Sequence, residues 1–259
     1  MTTATTGPVR ILLVGCNGRM GRTISSLSAA GGTVEVVGGI DTNPAVLFDY
    51  PVFSGFESCT VSPDVLIDFS NPAALPSLIA FALRHTLPVV VATTGLEASH
   101  REVLKAASDR IPVFVSANMS LGINLLLDLA AKAAAVLHPE FDIELVEAHH
   151  NQKLDAPSGT ALMIADRVNE ALDHRLHYVY DRHAVRGKRD GNELGIHAIR
   201  GGSIVGEHTL LFAGPDEVIE IRHSAQSRDV FAHGALKAAR FLVGKAPGLY
   251  SMKDLIAST

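Results

Sequence analysis

The sequence has few of the features that mark disulfide-bonded, membrane-spanning or nucleic-acid-binding proteins. Among 259 residues there are only two cysteines, Cys16 and Cys59, so no disulfide scaffold is expected and the cytoplasm is the predicted compartment. No apolar run approaches the roughly 20 residues that a membrane-spanning helix needs, and no membrane partner is expected. The net charge of -5 argues against nucleic acid as a partner, because phosphate binding requires a basic surface.

The composition is that of a chain that can bury a large core. Apolar residues make up 47% and charged residues 19% of the sequence, proportions that are not typical of disordered chains. The length allows one large or two modest domains. The opening MTTATTGPVR is polar and is interpreted as a frayed tail before the first strand.

The first two-fifths of the chain alternates short apolar strands with helices. Strands are predicted at residues 9–14, 34–40, 65–69, 89–92 and 112–115. This alternation predicts a parallel sheet that is covered on both faces.

The pattern changes after Ser120. A long apolar helix is predicted at 121–137, a strand at 141–148, helices at 160–171 and 231–243, and three alternating runs at 196–200, 204–212 and 218–223. Tight glycine turns between these runs predict a sheet with antiparallel pairs. We therefore expect an α/β domain followed by an α+β domain.

A glycine-rich turn follows the first predicted strand and precedes the first helix. Gly15, Gly18 and Gly21 allow a tight turn and close approach of the backbone to a pyrophosphate. Asp41 ends the second strand, where an acidic side chain can bind ribose hydroxyls. These features predict a dinucleotide site. The alternative is a turn that serves only packing, with Asp41 an ordinary loop acid.

Two later segments are candidates for the same ligand. Thr93 and Thr94 lie at the carboxyl end of a strand, where ligands of open α/β sheets bind, although a helix cap is the alternative. Residues 116–119 end the last strand before the composition changes, and either contact the nicotinamide or form a hinge.

The segment EAHHNQKLDAPSGTA, residues 147–161, concentrates the chemistry. His149, His150 and Lys153 follow a strand and precede a turn that opens a helix. A helix start attracts anions through its backbone N–H groups and dipole, and an imidazole can donate a proton near neutral pH. The combination predicts a site for a small carboxylate substrate that needs a proton, with a solvated basic loop as the alternative.

Neither a metal centre nor a functional role for the remaining strand histidines is expected. Adjacent histidines diverge on a strand, and there is no H-E-x-x-H motif or cysteine pair, so no metal is expected. His197, His208 and His223 are scattered among predicted strands and are interpreted as structural.

The motifs GCNGRMG, ATTG, SANMSLGIN, EAHHNQKLDAPSGTA and VGEHTLLF, and the turn at 200–202, resemble those of the bacterial dihydrodipicolinate reductases across nearly the whole chain. The resemblance implies a Rossmann-type dinucleotide-binding domain, residues 1–119 with 229–259, and an α+β substrate and tetramerisation domain with a mixed sheet, residues 120–228. It also implies NADH- or NADPH-dependent reduction at C4 of the ring formed when 4-hydroxy-tetrahydrodipicolinate loses water, on the diaminopimelate route to lysine.

The resemblance also implies roles for individual residues. His149 matches the proton donor with Lys153 assisting, and His150, Gly159 and Thr160 match substrate-binding positions. The matched cofactor contacts are Gly15, Cys16, Asn17, Gly18, Arg19, Met20, Asp41, Ala92, Thr93, Thr94, Ser116, Ala117, Asn118 and Met119. Members of the family form homotetramers through the second domain, and their C-terminal helix returns to the first.

The sequence leaves alternatives open for the preferred cofactor and for the class of reaction. Some relatives place an arginine after the acidic residue, whereas Thr42 and Asn43 follow Asp41 here. Modest preference for NADH is expected, with Arg19 as the candidate cation for the 2′-phosphate of NADPH. The alternative functions are another NAD(P)-dependent dehydrogenase that acts on an amino-acid imine, and a non-catalytic NAD(P)H sensor.

Overall fold

The computed structural model of the protein describes residues 7–258. The chain divides into two compact units, one built from the residues up to Leu121 and from Arg228 onward, the other from Gly122–Ser227. The interpretation of the N-terminal tail falls largely on residues 1–6, which lie outside the described residues. Within the described part of the chain, no helix is long and apolar enough to cross a membrane.

The strands are β1 (Val9–Val14), β2 (Val34–Ile40), β3 (Val52–Phe53), β4 (Val65–Asp68), β5 (Val89–Val91), β6 (Pro112–Val115), β7 (Asp142–His149), β8 (His177–Val179), β9 (Glu193–Arg200), β10 (Gly206–Ala213), β11 (Val218–Ala225) and β12 (Gly248–Tyr250). The helices are α1 (Arg19–Ala29), α2 (Leu75–His85), α3 (Ala98–Ser108), α4 (Leu121–Leu137), α5 (Gly159–Ala171), α6 (Asp229–Leu242) and α7 (Met252–Ala257).

The first unit is built on a parallel seven-stranded sheet, as the alternating pattern predicts. Its strand order is β12-β6-β5-β4-β1-β2-β3, and every neighbouring pair is parallel. Apolar residues on both faces form separate cores, one of which includes the small residues of α6. From β1 the next strands are added on one side, to β3, and from β4 onward on the other side. The carboxyl ends of β1 and β4 therefore form the crevice in which such sheets bind ligands.

The second unit contains a mixed five-stranded sheet in the order β11-β10-β7-β9-β8. β10 is antiparallel to both β7 and β11, whereas β9 is parallel to β7. The antiparallel pairs are therefore present, but the turn at 201–202 does not close a hairpin, because β7 lies between β9 and β10. Apolar residues of α4 and α5 cover one face of this sheet.

Strand β7 carries the alternation that positions the site. Residues 143, 145, 147 and 149 are buried, and the residues between them are partly exposed. Because successive side chains of a strand point to opposite faces, Glu147 and His149 share the face that packs against the helices. Four short elements, β3, β8, β12 and α7, are absent from the sequence prediction because their runs are too short to show a period.

Candidate active site

A buried glutamate lies beside the histidine that ends β7. The Glu147 side chain has no exposed surface, and its Oε2 lies 2.7 Å from Nδ1 of His149. The His149 side chain is 11% exposed, so a small part of the imidazole remains accessible. A Cβ added at Gly206 would lie 3.1 Å from Nε2 of His149, so the glycine leaves room beside that nitrogen.

Arg200, at the end of β9, binds the same glutamate with both terminal nitrogens. Its Nη1 donates to Oε2 of Glu147 at 2.8 Å and its Nη2 donates to Oε1 at 2.7 Å. Burial raises the pKa of Glu147, but the hydrogen bonds from Arg200, His149 and the Ser158 N–H outweigh burial and hold that pKa below its usual value. Glu147 is therefore an anion at neutral pH despite its burial.

The start of α5 is attached to this cluster through Ser158. The Ser158 N–H donates to Oε1 of Glu147 at 3.0 Å, and its Oγ caps the helix by accepting the N–H of Ala161 at 3.1 Å. Ser158 Oγ also lies 3.1 Å from Nε2 of His208. Gly159 and Thr160 form the first turn of the helix, so the predicted anion site lies directly beside the histidine–glutamate pair.

His208, which is interpreted from the sequence as structural, contacts Ser158 and His149 of this cluster. Its ring lies edge-on to that of His149, with centroids 5.3 Å apart. Burial, and then the charge of His149, lowers the pKa of His208 to about 4. The ring therefore stays neutral at physiological pH and adds no second positive charge beside His149.

Lys153 and His150 lie in the loop between β7 and α5. The Lys153 Nζ donates to Oδ1 of Asp155 at 2.8 Å, and this bond is the main reason that the pKa of Asp155 is lowered. Asp155 is also fixed through its backbone, because Arg200 Nη2 donates to its carbonyl oxygen at 2.6 Å. His150 is partly exposed and its carbonyl oxygen accepts the Lys153 N–H.

In the first unit, the glycine turn after β1 has the tight geometry predicted from its spacing. Gly15 has a φ of +78°, and a Cβ at Gly21 would overlap the carbonyl oxygen of Gly15. Asp41 accepts the N–H of Asn17 at 2.9 Å through Oδ2 and the N–H of Asn43 at 2.9 Å through Oδ1. The buried Asn17 Oδ1 has no hydrogen-bond partner, so the turn presents a polar atom that a ligand can satisfy.

A cavity of about 700 Å³ opens beside this turn, at the carboxyl ends of β1, β2 and β4. Gly15, Asn17, Gly18 and Asp41 line it, and so does Arg84 of α2. Arg19, the cation predicted for this region, is not among the lining residues, whereas Arg84 lies 3.8 Å from another lining residue, Glu57. Two carboxylates and one guanidinium thus surround the cavity.

A second cavity, of about 490 Å³, lies at the ends of β5 and β6. It is lined by the predicted residues Thr93, Thr94, Ser116 and Ala117. The interpretation of Thr93 and Thr94 as a helix cap is wrong, because α3 begins at Ala98 and its N-cap is Glu97.

Thr93 is held by a buried acid that the sequence reasoning missed. Its Oγ1 donates to Oδ2 of Asp68 at 2.7 Å, and Ser70 donates to Oδ1 through both N–H and Oγ. Burial raises the pKa of Asp68, and the hydrogen bonds from Ser70 and Thr93 partly offset it. The Asp68 side chain therefore links the end of β4 to Thr93, which follows β5.

The remaining predicted cofactor residues do not line either cavity. In the described part of the chain these are Cys16, Arg19, Met20, Ala92, Asn118 and Met119. The Cys16 side chain is fully buried, and burial followed by the charge of Asp41 raises its pKa to about 11. Cys16 can therefore serve a ligand only through its backbone. Among residues 7–258, no cluster of three or more metal-ligating side chains is present.

Comparisons with known proteins agree with this arrangement. The family model described as dihydrodipicolinate reductase, N-terminus, matches residues 9–119, and the model described as dihydrodipicolinate reductase, C-terminus, matches residues 122–256. A 4-hydroxy-tetrahydrodipicolinate reductase of Caldanaerobacter subterraneus is 53% identical, covering 96% of this chain and 98% of its own. One of Clostridium tetani is 48% identical with the same coverage.

A solved structure extends the similarity to three dimensions. The dipicolinate-bound dihydrodipicolinate reductase of Paenisporosarcina sp. TG-14 matches with a TM-score of 0.78 and 25% identity, over 94% of this chain and 97% of that one.

Proposed function

The chain belongs to the dihydrodipicolinate reductase family, and from this premise we propose that it reduces the dehydrated form of 4-hydroxy-tetrahydrodipicolinate to tetrahydrodipicolinate. It is an oxidoreductase that uses NADH or NADPH. The observation that supports this chemistry best is the buried Glu147–His149 pair, which shares its hydrogen bonds with the start of α5. A proton donor and an anion-binding helix start lie in one cluster, as a dicarboxylate substrate requires.

The first unit fits the dinucleotide. A cavity of about 700 Å³ adjoins its glycine turn, and Asn17 Oδ1 is buried without a hydrogen-bond partner. Asp41 lies at the end of β2 with lone pairs left for ribose hydroxyls. When bound, the reduced nicotinamide supplies the hydride for C4 of the substrate ring.

The residues of the second unit supply the proton and hold the substrate. His149 gives a proton to the reduced ring, and Lys153 assists by stabilising negative charge. Gly159 and Thr160 hold one substrate carboxylate at the start of α5, and His150 binds the substrate from the preceding loop. A substrate carboxylate that reaches Lys153 competes with Asp155 for its ammonium group.

The proposal also includes the pathway, the cellular compartment and the oligomeric state of the protein. The reaction belongs to the diaminopimelate route to lysine, in the cytoplasm, and the chain assembles as a homotetramer through the sheet of the second unit. Residues 1–119 with 229–259 form the cofactor domain, and residues 120–228 form the substrate and assembly domain.

The test is the oxidation of NADH or NADPH by the purified protein, with the substrate made in the cuvette from pyruvate and aspartate semialdehyde. Oxidation that depends on the condensed substrate supports the proposal. Oxidation only with the imine of another amino acid would identify a different dehydrogenase, and cofactor binding without turnover would identify a sensor.

A further inference from the structure

The buried carboxylate of Glu147 makes four hydrogen bonds. Its Oε2 contacts His149 Nδ1 at 2.7 Å and Arg200 Nη1 at 2.8 Å. Its Oε1 contacts Arg200 Nη2 at 2.7 Å and the Ser158 N–H at 3.0 Å. The four bonds use the four lone-pair positions of the carboxylate, so its orientation is fixed by three different elements.

Within this cluster, Glu147 is the anion that contacts His149. Arg200 faces Glu147 from β9 and neutralises it, and His208 faces His149 from β10 but stays uncharged at neutral pH. In the loop that follows β7, Lys153 is paired with Asp155. Protonation of His149 therefore places one net positive charge in a cluster whose other charges are paired.

We propose that Glu147 is a positioning residue for the proton donor, an inference that rests on the function proposed above for His149. By accepting the Nδ1–H of His149, Glu147 fixes the tautomer and the ring orientation, so that Nε2 is the nitrogen that carries and releases the transferable proton. Arg200 keeps the carboxylate ionised and in place through two parallel hydrogen bonds.

The Glu147 carboxylate also connects the proposed proton donor to the place where the substrate carboxylate is proposed to bind. Ser158, whose N–H binds Glu147, is the N-cap of α5, and the next two residues, Gly159 and Thr160, form the proposed anion site. Arg200 also binds the carbonyl oxygen of Asp155, the residue that holds Lys153. The buried Glu147 carboxylate thus contacts the proposed donor and the start of α5 directly, and it is connected to the assisting lysine through Arg200 and Asp155.

The test compares Glu147→Gln with Glu144→Gln. Glu144 is on the same strand but on its other face, and it also binds arginines and a histidine, so the two variants lose the same charge and similar partners. For Glu147→Gln we expect kcat to fall about 10²-fold, with the KM for substrate changed less and the affinity for NADH unchanged. For Glu144→Gln we expect kcat within about twofold of wild type.

The pH profile separates positioning from a merely structural role. Removal of the Glu147 carboxylate takes away the acceptor of the His149 Nδ1–H, so the pH dependence of kcat should differ from that of the wild type, whereas a merely structural role would leave the profile unchanged. Glu147→Asp keeps the charge but withdraws it by one methylene, so kcat should fall about tenfold with the wild-type pH profile. This variant also answers the question if the Gln variant does not fold.

The outcomes distinguish this inference from the proposed function. A loss of kcat in His149→Gln together with wild-type kcat and pH profile in Glu147→Gln would overturn the inference alone. Wild-type kcat in His149→Gln would overturn the assignment of the donor, and with it the function on which the inference rests. Equal losses in the Glu144 and Glu147 variants would show a general effect of charge on the strand and would also contradict the inference.

Discussion

Two clusters of the same residue types lie on opposite faces of β7. In one, Glu147 binds Arg200 and His149, and in the other, Glu144 binds Arg182, Arg189 and His197. The Glu147 side chain has no exposed surface, whereas that of Glu144 is 22% exposed and that of His197 is 40% exposed. In both, hydrogen bonds outweigh the effect of burial and lower the pKa of the glutamate.

The two clusters differ in their burial and in which imidazole nitrogen contacts the glutamate. A partly exposed ion pair is screened by water and contributes about 0–1 kcal/mol, so the Glu144 cluster chiefly holds the loop that carries Arg182 and Arg189. A buried anion must have every lone pair satisfied, and loss of one partner destabilises strongly. His149 meets its glutamate through Nδ1, but His197 meets its glutamate through Nε2. Only the buried cluster combines a fixed tautomer with an adjoining anion site.

The largest expected contrast is between the two histidines. His149→Gln should lower kcat by about 10²–10⁴-fold, the usual contribution of a positioned acid, and leave cofactor affinity intact. His197→Gln, the matched change in the exposed cluster, should leave kcat within about twofold. Steady-state oxidation of NADH with substrate made in the cuvette measures both. Wild-type kcat in His149→Gln would show that His149 is not the acid.

The buried cluster should also make stability depend on pH. An unfolded histidine takes up a proton near pH 6.5, but folded His208 does so only near pH 4. Between these values the unfolded state binds more protons, so the free energy of unfolding should fall by up to about 3 kcal/mol as pH drops from 6.5 to 4. His223, whose pKa burial also lowers, acts in the same direction.

Urea unfolding at several pH values measures this dependence, with His208→Gln as the comparison variant. That variant should show a shallower dependence between pH 6.5 and 4. The same slope in the variant and the wild type would mean that His208 is not the group responsible.

A smaller effect is expected at the helix start that the buried cluster supports. Thr160→Val should raise the KM for substrate about tenfold, the equivalent of one lost hydrogen bond to a charged group, with cofactor affinity unchanged. Gly159→Val should also raise it, because the added side chain occupies space that is open beside the helix start. Pyridine-2,6-dicarboxylate should compete with substrate in the wild type and bind more weakly to both variants. Equal weakening of NADH and substrate binding would contradict separate sites.

The smallest expected effect concerns the cofactor cavity. Asp41 and Glu57 contribute two carboxylates and Arg84 one guanidinium, so the 2′-phosphate of NADPH meets more negative than positive charge. We expect NADH to be favoured up to about tenfold in kcat/KM at fixed salt. If NADPH is strongly preferred instead, this expectation is wrong, and comparison of Arg84→Ala with Arg19→Ala would identify the cation responsible.

Local patterns in the sequence predict the fold and several elements of the candidate site. The alternation of strands and helices predicts the parallel sheet, and the turn before Gly159 predicts the start of α5. The strand period could also have identified Glu147, because residues two apart in a strand share a face, so that Glu147 and His149 point the same way.

Contacts between distant parts of the chain escape such patterns. Arg200 is 53 residues from Glu147, and Thr93 is 25 residues from Asp68, so neither pair has a local signal. For the same reason the glycine turn after β9 resembles a hairpin, although β7 lies between the two strands that it joins. The contact between His208 and His149 has no local signal either, because the two residues lie on different strands.

The most direct test of the account is the tautomer of the two histidines, read from ¹⁵N NMR of the imidazole nitrogens at a pH where both rings are neutral. We expect a protonated Nδ1 and an unprotonated Nε2 for His149, because Nδ1 faces Glu147, and the reverse for His197, because its Nε2 faces Glu144. Loss of the Nδ1–H preference of His149 in Glu147→Gln would support the account further. A neutral His149 with its proton on Nε2 in the wild type would contradict it.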